Sequence, residues 1–523
     1  MSQFARNGMR EIELKIEIAP DQAARLDGHP SVQRLAAGPA ETRVLRTLYL
    51  DTPGQALARA DIALRLRHDG DGWVQTAKAR RGRGAGLMEA VESTVGIDAP
   101  VADPDAVPDE GLRSVILTAL AGATPEVRFE TAIRRTTRRL SLPRLGEVEL
   151  AVDEGEIRAG ERTAPLSEVE IELLSGQAAA VFEVARELFP EGGVRPSLLT
   201  KAERGGRLAA GHDPSAVAPR NAAGVALHAD MTAEQGAREV LSECLEQLAA
   251  NIPVVIASDD PEGPHQLRIG LRRLRSALLV FGGTLGGDRL AHLDNEARWL
   301  GHEAGRVRDL DVAHADILGP LREEMPGEPG ADALAASLAR KLAEARADLR
   351  QTLAGPRVWA LLLDLGEYIA TRGWLDPGDW EQTTRLARPL GAAAAEALDG
   401  RLARVMRRGE KIGTLEIDAR HDLRKELKKL RYAVEFFAPI FPEKKVKPFV
   451  RRLKALQEIF GDLQDAAMAE EMFRAENGPG SDSVPAARAA GFVIGVRTER
   501  ARRSWEAAKQ LWKAFKETGP FWP

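Results

Sequence analysis

Charged residues recur at every second position along several short stretches of this chain. Glu11, Glu13, Lys15 and Glu17 alternate with Ile12, Leu14, Ile16 and Ile18. Period two is that of a β-strand, so the charged set shares one face and the aliphatic set the other. The spacing returns at Arg65 and Arg67, at Lys78 and Arg80, and at Glu147 and Glu149 with Asp153 in phase. It returns again at Glu168, Glu170 and Glu172. Guanidinium groups grip phosphate oxygens two at a time, and clustered carboxylates hold Mg²⁺ or Mn²⁺. On one strand such a row is a solvated face. Repeated with both signs, it suits a site that holds a metal ion and a polyanion together.

To bring these rows together the first ~205 residues must form a sheet that closes. Strands are expected at 9–18, 43–50, 62–68, 73–79, 89–95, 129–140, 147–152, 154–159 and 167–174, separated by turns such as Asp51-Thr52-Pro53-Gly54. Short helices are expected at 20–26, 111–120 and 177–188. The fold class is two-domain: an N-terminal α+β antiparallel eight-stranded β-barrel, a tunnel with flanking helices, then an all-α domain. Residues 1–208 form the first domain, the aperiodic 209–230 a linker, and 231–523 the helical domain.

The whole chain constrains the rest. Its 73 basic and 78 acidic residues give a net charge of −5, so polyanion binding must come from local segregation of charge. The single cysteine, Cys244, excludes an internal disulfide and fits a reducing compartment. The polar start lacks signal-peptide grammar, and the apolar run 359–363 is too short to span a bilayer. A soluble cytoplasmic protein without a membrane partner is expected.

With these residues in place, the first part resembles the CYTH domain, the triphosphate tunnel metalloenzymes. Glu11-Ile-Glu13-Leu-Lys15 is similar to its ExExK signature, and Tyr49-Leu-Asp51-Thr52-Pro53 with Leu64-Arg65-Leu66-Arg67 to its YFDTP and LRxR stretches. Glu149, Asp153 and Glu168-Val-Glu170-Ile-Glu172 resemble its later acidic strands, and Lys201-Ala-Glu-Arg204-Gly205 its terminal Lys-x-x-Arg-Gly. The resemblance implies that Lys15, Arg65, Arg67, Lys78, Arg135 and Lys201 contact triphosphate. It implies that Glu11, Glu13, Glu149, Asp153, Glu168, Glu170 and Glu172 supply metal ligands for Mg²⁺ or Mn²⁺ and position water. Arg135 is preferred to Arg134 because it is in phase with Phe129, Thr131 and Ile133. One departure stands out: Met88 and Ala90 occupy places where the family's R-x-E-x-E run has Arg and Glu.

The helical half carries an internal repeat. His265, Leu267, Arg268, Leu271, Arg272 and Arg275 recur as His421, Leu423, Arg424, Leu427, Lys428 and Arg431, an offset of 156 that Gly305 and Gly461 also keep. Two repeated four-helix bundles are expected. On a helix His265, Arg268, Arg272 and Arg275 fall within an arc of ~80°, beside a leucine stripe that docks the helix. Like charges on one stripe repel, so a linear anionic partner is indicated, with Asp309, Asp311 and Asp465 as internal partners for some arginines. Aromatic residues do not interleave with the cations, which disfavours nucleic acid. This half resembles the CHAD domain, which implies polyphosphate binding by His265, Arg268, Arg272, Arg275, His421, Arg424, Lys428 and Arg431. The expected whole is a metal-dependent inorganic triphosphatase joined to a polyphosphate-binding domain, with polyphosphate granules as a possible address. The alternatives are a non-catalytic polyphosphate scaffold and, ranked below it, thiamine triphosphate hydrolysis or adenylate cyclisation in the tunnel.

Overall fold

The computed structural model describes residues 10–68, 72–84, 87–317, 329–474, 479–481 and 483–523. The chain forms two compact units, Met1–Ala218 with Ala354–Gly373, and Pro219–Leu353 with Trp374–Pro523. The first unit is built on strands β1 (Arg10–Glu17), β2 (Glu41–Asp51), β3 (Ile62–His68), β4 (Trp73–Gly84), β5 (Leu87–Ile97), β6 (Glu126–Leu142), β7 (Gly146–Ala159), β8 (Arg162–Gly176) and β9 (Arg195–Pro196). Their order is β5-β4-β3-β2-β6-β7-β8-β1-β9, all antiparallel. β1 also pairs with β5, Glu13 standing opposite Met88, so the curled sheet returns on itself.

Two strand expectations need correction. The sheet has nine strands, not eight, because Arg195–Pro196 adds to β1 opposite Ile16 and Glu17. Two residues carry no alternation to read. Residues 147–152 and 154–159 are one strand, β7, although Asp153-Glu154-Gly155 has the composition of a turn. Gly155 is there for contact: a side chain would run into the Ala132 carbonyl of β6.

Alternation decides which face is wet. Leu14, Ile16 and Ile18 of β1 join Val148 and Leu150 of β7 and Val169 and Ile171 of β8 in one buried cluster. It is covered by α1 (Pro20–Leu26), α2 (Pro30–Leu35) and α5 (Ala179–Leu188). Helices α3 (Ala56–Arg59) and α4 (Glu110–Leu120) cover a second cluster around Leu64 and Leu66. α6 (Lys201–Ala209) packs Leu208 against Phe129 and Ile133 in a third.

Beyond Ala218 the described chain contains α7 (Ala233–Ala257), α8 (Glu262–Leu285), α9 (Arg289–Val312), α10 (Pro329–Ala354), α11 (Pro356–Ala370), α12 (Trp380–Ala387), α13 (Leu390–Gly409), α14 (Ile417–Phe437), α15 (Glu443–Arg474), α16 (Val484–Glu506) and α17 (Ala508–Thr518). Of these, α11 belongs to the first unit. Its Trp359 and Leu363 lie in the cluster behind β1, Trp359 meeting Phe189 edge-on. Arg186 of α5 donates to Asp364 at 2.8 Å and to Glu367. α7 is long and apolar enough to cross a membrane, but most of its apolar stretch, Leu241, Leu245 and Leu248 included, is buried inside the unit. Part of the expected linker is pinned: the Arg220 amide donates to Asn251 at 3.0 Å, and its guanidinium pairs with Glu243.

Candidate functional site

The charged faces of β1, β3, β4, β6, β7 and β8 converge inside the curled sheet. Strand parity places them there, since their neighbours fill the apolar clusters behind. At the centre Lys15 bonds Glu170 and lies 3.4 Å from Glu13. Lys78 of β4 reaches Glu13 at 2.9 Å and Glu92 of β5 at 3.9 Å. Arg135 binds Asp153 through two N–H groups, at 2.7 and 2.6 Å, and also donates to Glu170. Arg135 lies among these groups, whereas Arg134 is exposed and pairs with Glu154 at 2.8 Å.

Burial alone would raise the Glu170 carboxyl. Lys15, Lys201 and Arg135 outweigh it and hold the group well below the usual carboxylate range. Glu13 is likewise lowered against its burial by Lys15 and Lys78, and Asp153 by Lys201 and Arg135. These groups are therefore ionised, and every carboxylate has a cation beside it.

One corner is different. Arg67 is pulled down to about 10, first by repulsion from Arg65, then by burial and by Arg135. Its Nε finds only the Thr47 hydroxyl, at 3.3 Å. Arg65 is paired with Glu92 and Arg135 with Asp153 and Glu170, so the repulsion falls on Arg67, and a polyanion there would relieve it.

Asp153, Glu168 and Glu170 present carboxylate oxygens within 4.8 Å of one another, all buried. Glu168 Oε2 is buried without a hydrogen-bond partner. Three hard oxygen donors with acceptor capacity to spare fit a divalent ion of the Mg²⁺ or Mn²⁺ type. Lys201 Nζ stands among them, 2.8 Å from Asp153 and 2.9 Å from Glu170, and in contact with Glu168.

Local sequence explains how Lys201 gets there. Thr200 caps α6, accepting from the Glu203 amide, while Glu203 accepts from the Thr200 amide at 2.8 Å. Glu203 is also bound by Arg80, at 2.7 and 3.3 Å, and Arg204 bonds Glu17 and the Ser197 hydroxyl. The first turn of α6 is thereby fastened to β1 and β4.

The predicted residues divide as follows. Glu13, Lys15, Arg65, Arg67, Lys78, Arg135, Asp153, Glu168, Glu170 and Lys201 form the lumen cluster. Among the described residues Glu149 and Glu172 lie outside the acidic triad. The side chains of Glu11 and Met88 fall outside the described residues. Glu92 was missed, although it pairs with Arg65 at 3.4 Å and stands opposite Lys78. Its phase with Ala90 was the available signal. The Asp51-Thr52-Pro53 segment is scaffolding: Asp51 accepts the amides of Leu57 and Ala58, both at 2.9 Å, and fixes the start of α3.

In the second unit α8 packs against α14, and the two cationic stripes meet. Arg268 pairs with Asp309 at 2.6 Å and Arg275 with Asp294 at 2.8 Å. Asp311 pairs with Arg346 instead of a stripe residue. Asp465 lies 3.8 Å from Arg497 and adds its field to Arg424. Lys428 forms no ion pair among the described residues. Burial, then Arg424, Arg272, Arg268 and Arg431, push its ammonium down to about 6. Arg424 falls to about 10 by burial and by Arg272 and Arg268. His265 and His421 are lowered by burial and by neighbouring cations, an unfavourable setting for a metal.

Residues 9–205 match the family model of the CYTH domain, and residues 239–474 that of the CHAD domain. A relative from Haemophilus influenzae named inorganic triphosphatase is 28% identical over 198 residues, 38% of this chain and 54% of its own length. The chain thus spans about half the length of the curated relative it matches. The crystal structure of the CHAD domain from the plant Ricinus communis is similar at 26% identity and a TM-score of 0.49, covering 56% of this chain and 96% of that one. A Hippeastrum adenylyl cyclase homologue reported to reveal a dominant triphosphatase activity aligns at 17% identity and a TM-score of 0.28, covering 39% and 96%. Residues 9–205 are thus a CYTH domain and residues 239–474 a CHAD domain, carried in one chain.

Proposed function

We propose that the first unit hydrolyses inorganic triphosphate with Mg²⁺ or Mn²⁺ and that the helical unit binds polyphosphate. The observation that carries the reading is the lumen's two kinds of group side by side: Arg67 lies in the field of Arg65 and Arg135, and the Arg135 guanidinium also binds Asp153 and Glu170 of the acidic triad. The relative named inorganic triphosphatase supports the choice of substrate.

The guanidinium groups of Arg65, Arg67 and Arg135 hold the triphosphate oxygens and orient the chain of phosphates. Lys15 and Lys78 add ammonium donors from β1 and β4. Water attacks the terminal phosphorus in line, the bridging P–O bond breaks, and pyrophosphate leaves with the electron pair. The same cations offset the charge that builds on the leaving oxygens. A divalent ion, held by Asp153, Glu168 and Glu170, would supply Lewis-acid stabilisation of the phosphate charge. Placement of Glu13 between Lys15 and Lys78 keeps it ionised and able to orient water.

In the helical unit the Arg268, Arg272, Arg424 and Lys428 cluster is the polyphosphate site. Duplication of a four-helix unit at an offset of 156 accounts for its two halves. The reading places the protein in the cytoplasm, at polyphosphate granules where these exist.

Phosphate release from tripolyphosphate with Mg²⁺ or Mn²⁺ tests the first unit. Wild-type rates that survive Glu170→Ala and Arg65→Ala would overturn it. Combined Arg268→Ala and Arg424→Ala should abolish polyphosphate binding and spare hydrolysis of tripolyphosphate. A lumen that binds tripolyphosphate without turnover would instead favour a scaffold, a role that Ala90 in place of a lumen carboxylate would suit.

A further inference from the structure

Lys201 stands where a metal ion would stand. Its ammonium touches all three triad carboxylates, at 2.8 Å from Asp153 and 2.9 Å from Glu170, with Glu168 in contact. Divalent ions sit about 2.0–2.6 Å from carboxylate oxygens, so an ion bridging the same oxygens needs the space that the ammonium fills. We infer that Lys201 and the divalent ion are alternative occupants of the triad, and that metal entry turns Lys201 out toward the phosphate ligand. The inference rests on the reading of the triad as the metal site.

Three features give the exchange its shape. The triad's three negative charges meet Lys201, the shared Arg135 and, on Glu170, Lys15, while Arg204 stands 3.8 Å from Glu168 Oε2, an oxygen buried without a hydrogen bond. A doubly charged ion at the centre of three carboxylates is held more strongly than a single ammonium. The backbone of Lys201 is fixed, since Glu203 is held by Arg80 and Arg204 by Glu17. The exchange is therefore a swing of four methylenes, with α6 left in place.

The third feature is cost. Lys201 is buried, and Lys15 is the cation whose field opposes its charge. Turned out with no anion present, the ammonium would be desolvated beside another ammonium. Metal alone therefore binds weakly. A phosphate chain supplies the acceptors that the carboxylates gave up, so metal and triphosphate strengthen each other through this one side chain, and the coupling is reciprocal. A lysine that never leaves the triad would make the opposite prediction, a site indifferent to its removal or weakened by it.

Mn²⁺ binding to the full chain without phosphate, followed by electron paramagnetic resonance, decides between them. Lys201→Met should bind Mn²⁺ about tenfold more tightly than wild type, or better. Lys78→Met removes an equal charge from beside Glu13 and Glu92, and should tighten Mn²⁺ binding less than Lys201→Met does. Lys201→Met binding no tighter than wild type, or no tighter than Lys78→Met, overturns the exchange. Lys201→Gln, with melting curves to confirm folding, must reproduce the Lys201→Met result. If neither wild type nor any variant retains Mn²⁺, with or without tripolyphosphate, the metal reading itself falls.

Discussion

Gly205 lies directly under the ring of Phe129, so close that any side chain on it would overlap the ring. Phe129 is in turn stacked on Tyr49, with centroids 4.6 Å apart. Through this contact α6 is seated on β6, four residues from Lys201. Gly205→Ala should therefore cost about 1–3 kcal/mol of stability and displace the start of α6. A lowered midpoint in thermal unfolding, with reduced tripolyphosphate hydrolysis in the surviving folded protein, is the expected result.

Acid should undo the lumen. Burial raises the carboxyls of Glu170, Glu13 and Asp153, but neighbouring cations hold each below its ordinary value, Glu170 furthest. A depressed carboxylate contributes stability that is fully present above its unfolded value, about pH 4, and is lost as pH falls through the folded values. The melting temperature of the first unit should be flat from about pH 7 to pH 5 and then drop. Glu170→Gln should blunt that drop.

Lys428 titrates in the opposite sense. Its folded value of about 6 lies below that of an unfolded lysine, so the unfolded chain holds more protons above pH 6 and stability rises with pH there. Polyphosphate should restore the proton. Affinity is then greatest at or below about pH 6 and weakens as pH climbs toward 9, by up to about tenfold per unit. Calorimetry in buffers of different ionisation enthalpy should find proton uptake on binding. Lys428→Arg, which stays charged, should remove both the uptake and the pH slope.

A first unit cut after Ala218 should be unstable. It would lose Trp359 and Leu363 from the cluster behind β1, and the partners of Arg186. Burial of two such side chains is worth roughly 3–6 kcal/mol. Residues 1–218 alone should melt early or aggregate, and adding a peptide of residues 354–373 should restore a cooperative transition.

The lumen was legible because strand parity is rigid. Once Glu13 and Lys15 are placed on one face, Arg135 and Glu170 follow from phase alone. Charge alternation could not rank the acids, since Glu149 and Glu172 share the parity of the triad without joining it. That selection depends on strand register and on which turn of α6 delivers Lys201. The fit of Glu203 to Arg80 was hidden because the two residues are 123 apart in sequence. The cationic stripe of α8 was visible in its spacing. Because the repeat relates α8 to α14, a pseudo-twofold that brings both stripes to one surface was also within reach of the sequence, and helix packing decides only which residues face each other. The break expected at Asp153 fails for a related reason: β7 runs through it, and Gly155, inside the strand, gives room to the Ala132 carbonyl of the neighbouring strand.

The position of α11 has a consequence for biosynthesis. Every strand of the curled sheet, and the helices α1, α2 and α5 that cover its apolar back, leave the ribosome before α11, which completes that cluster beside α5. Leu188 of α5 and Trp359 are separated by roughly 170 residues, about 10 to 30 s of synthesis at ordinary rates. During that interval the place that Trp359 and Leu363 fill, beside Phe189, stays open. Chaperone capture of the stalled chain should therefore peak in the middle of translation and vanish once α11 emerges.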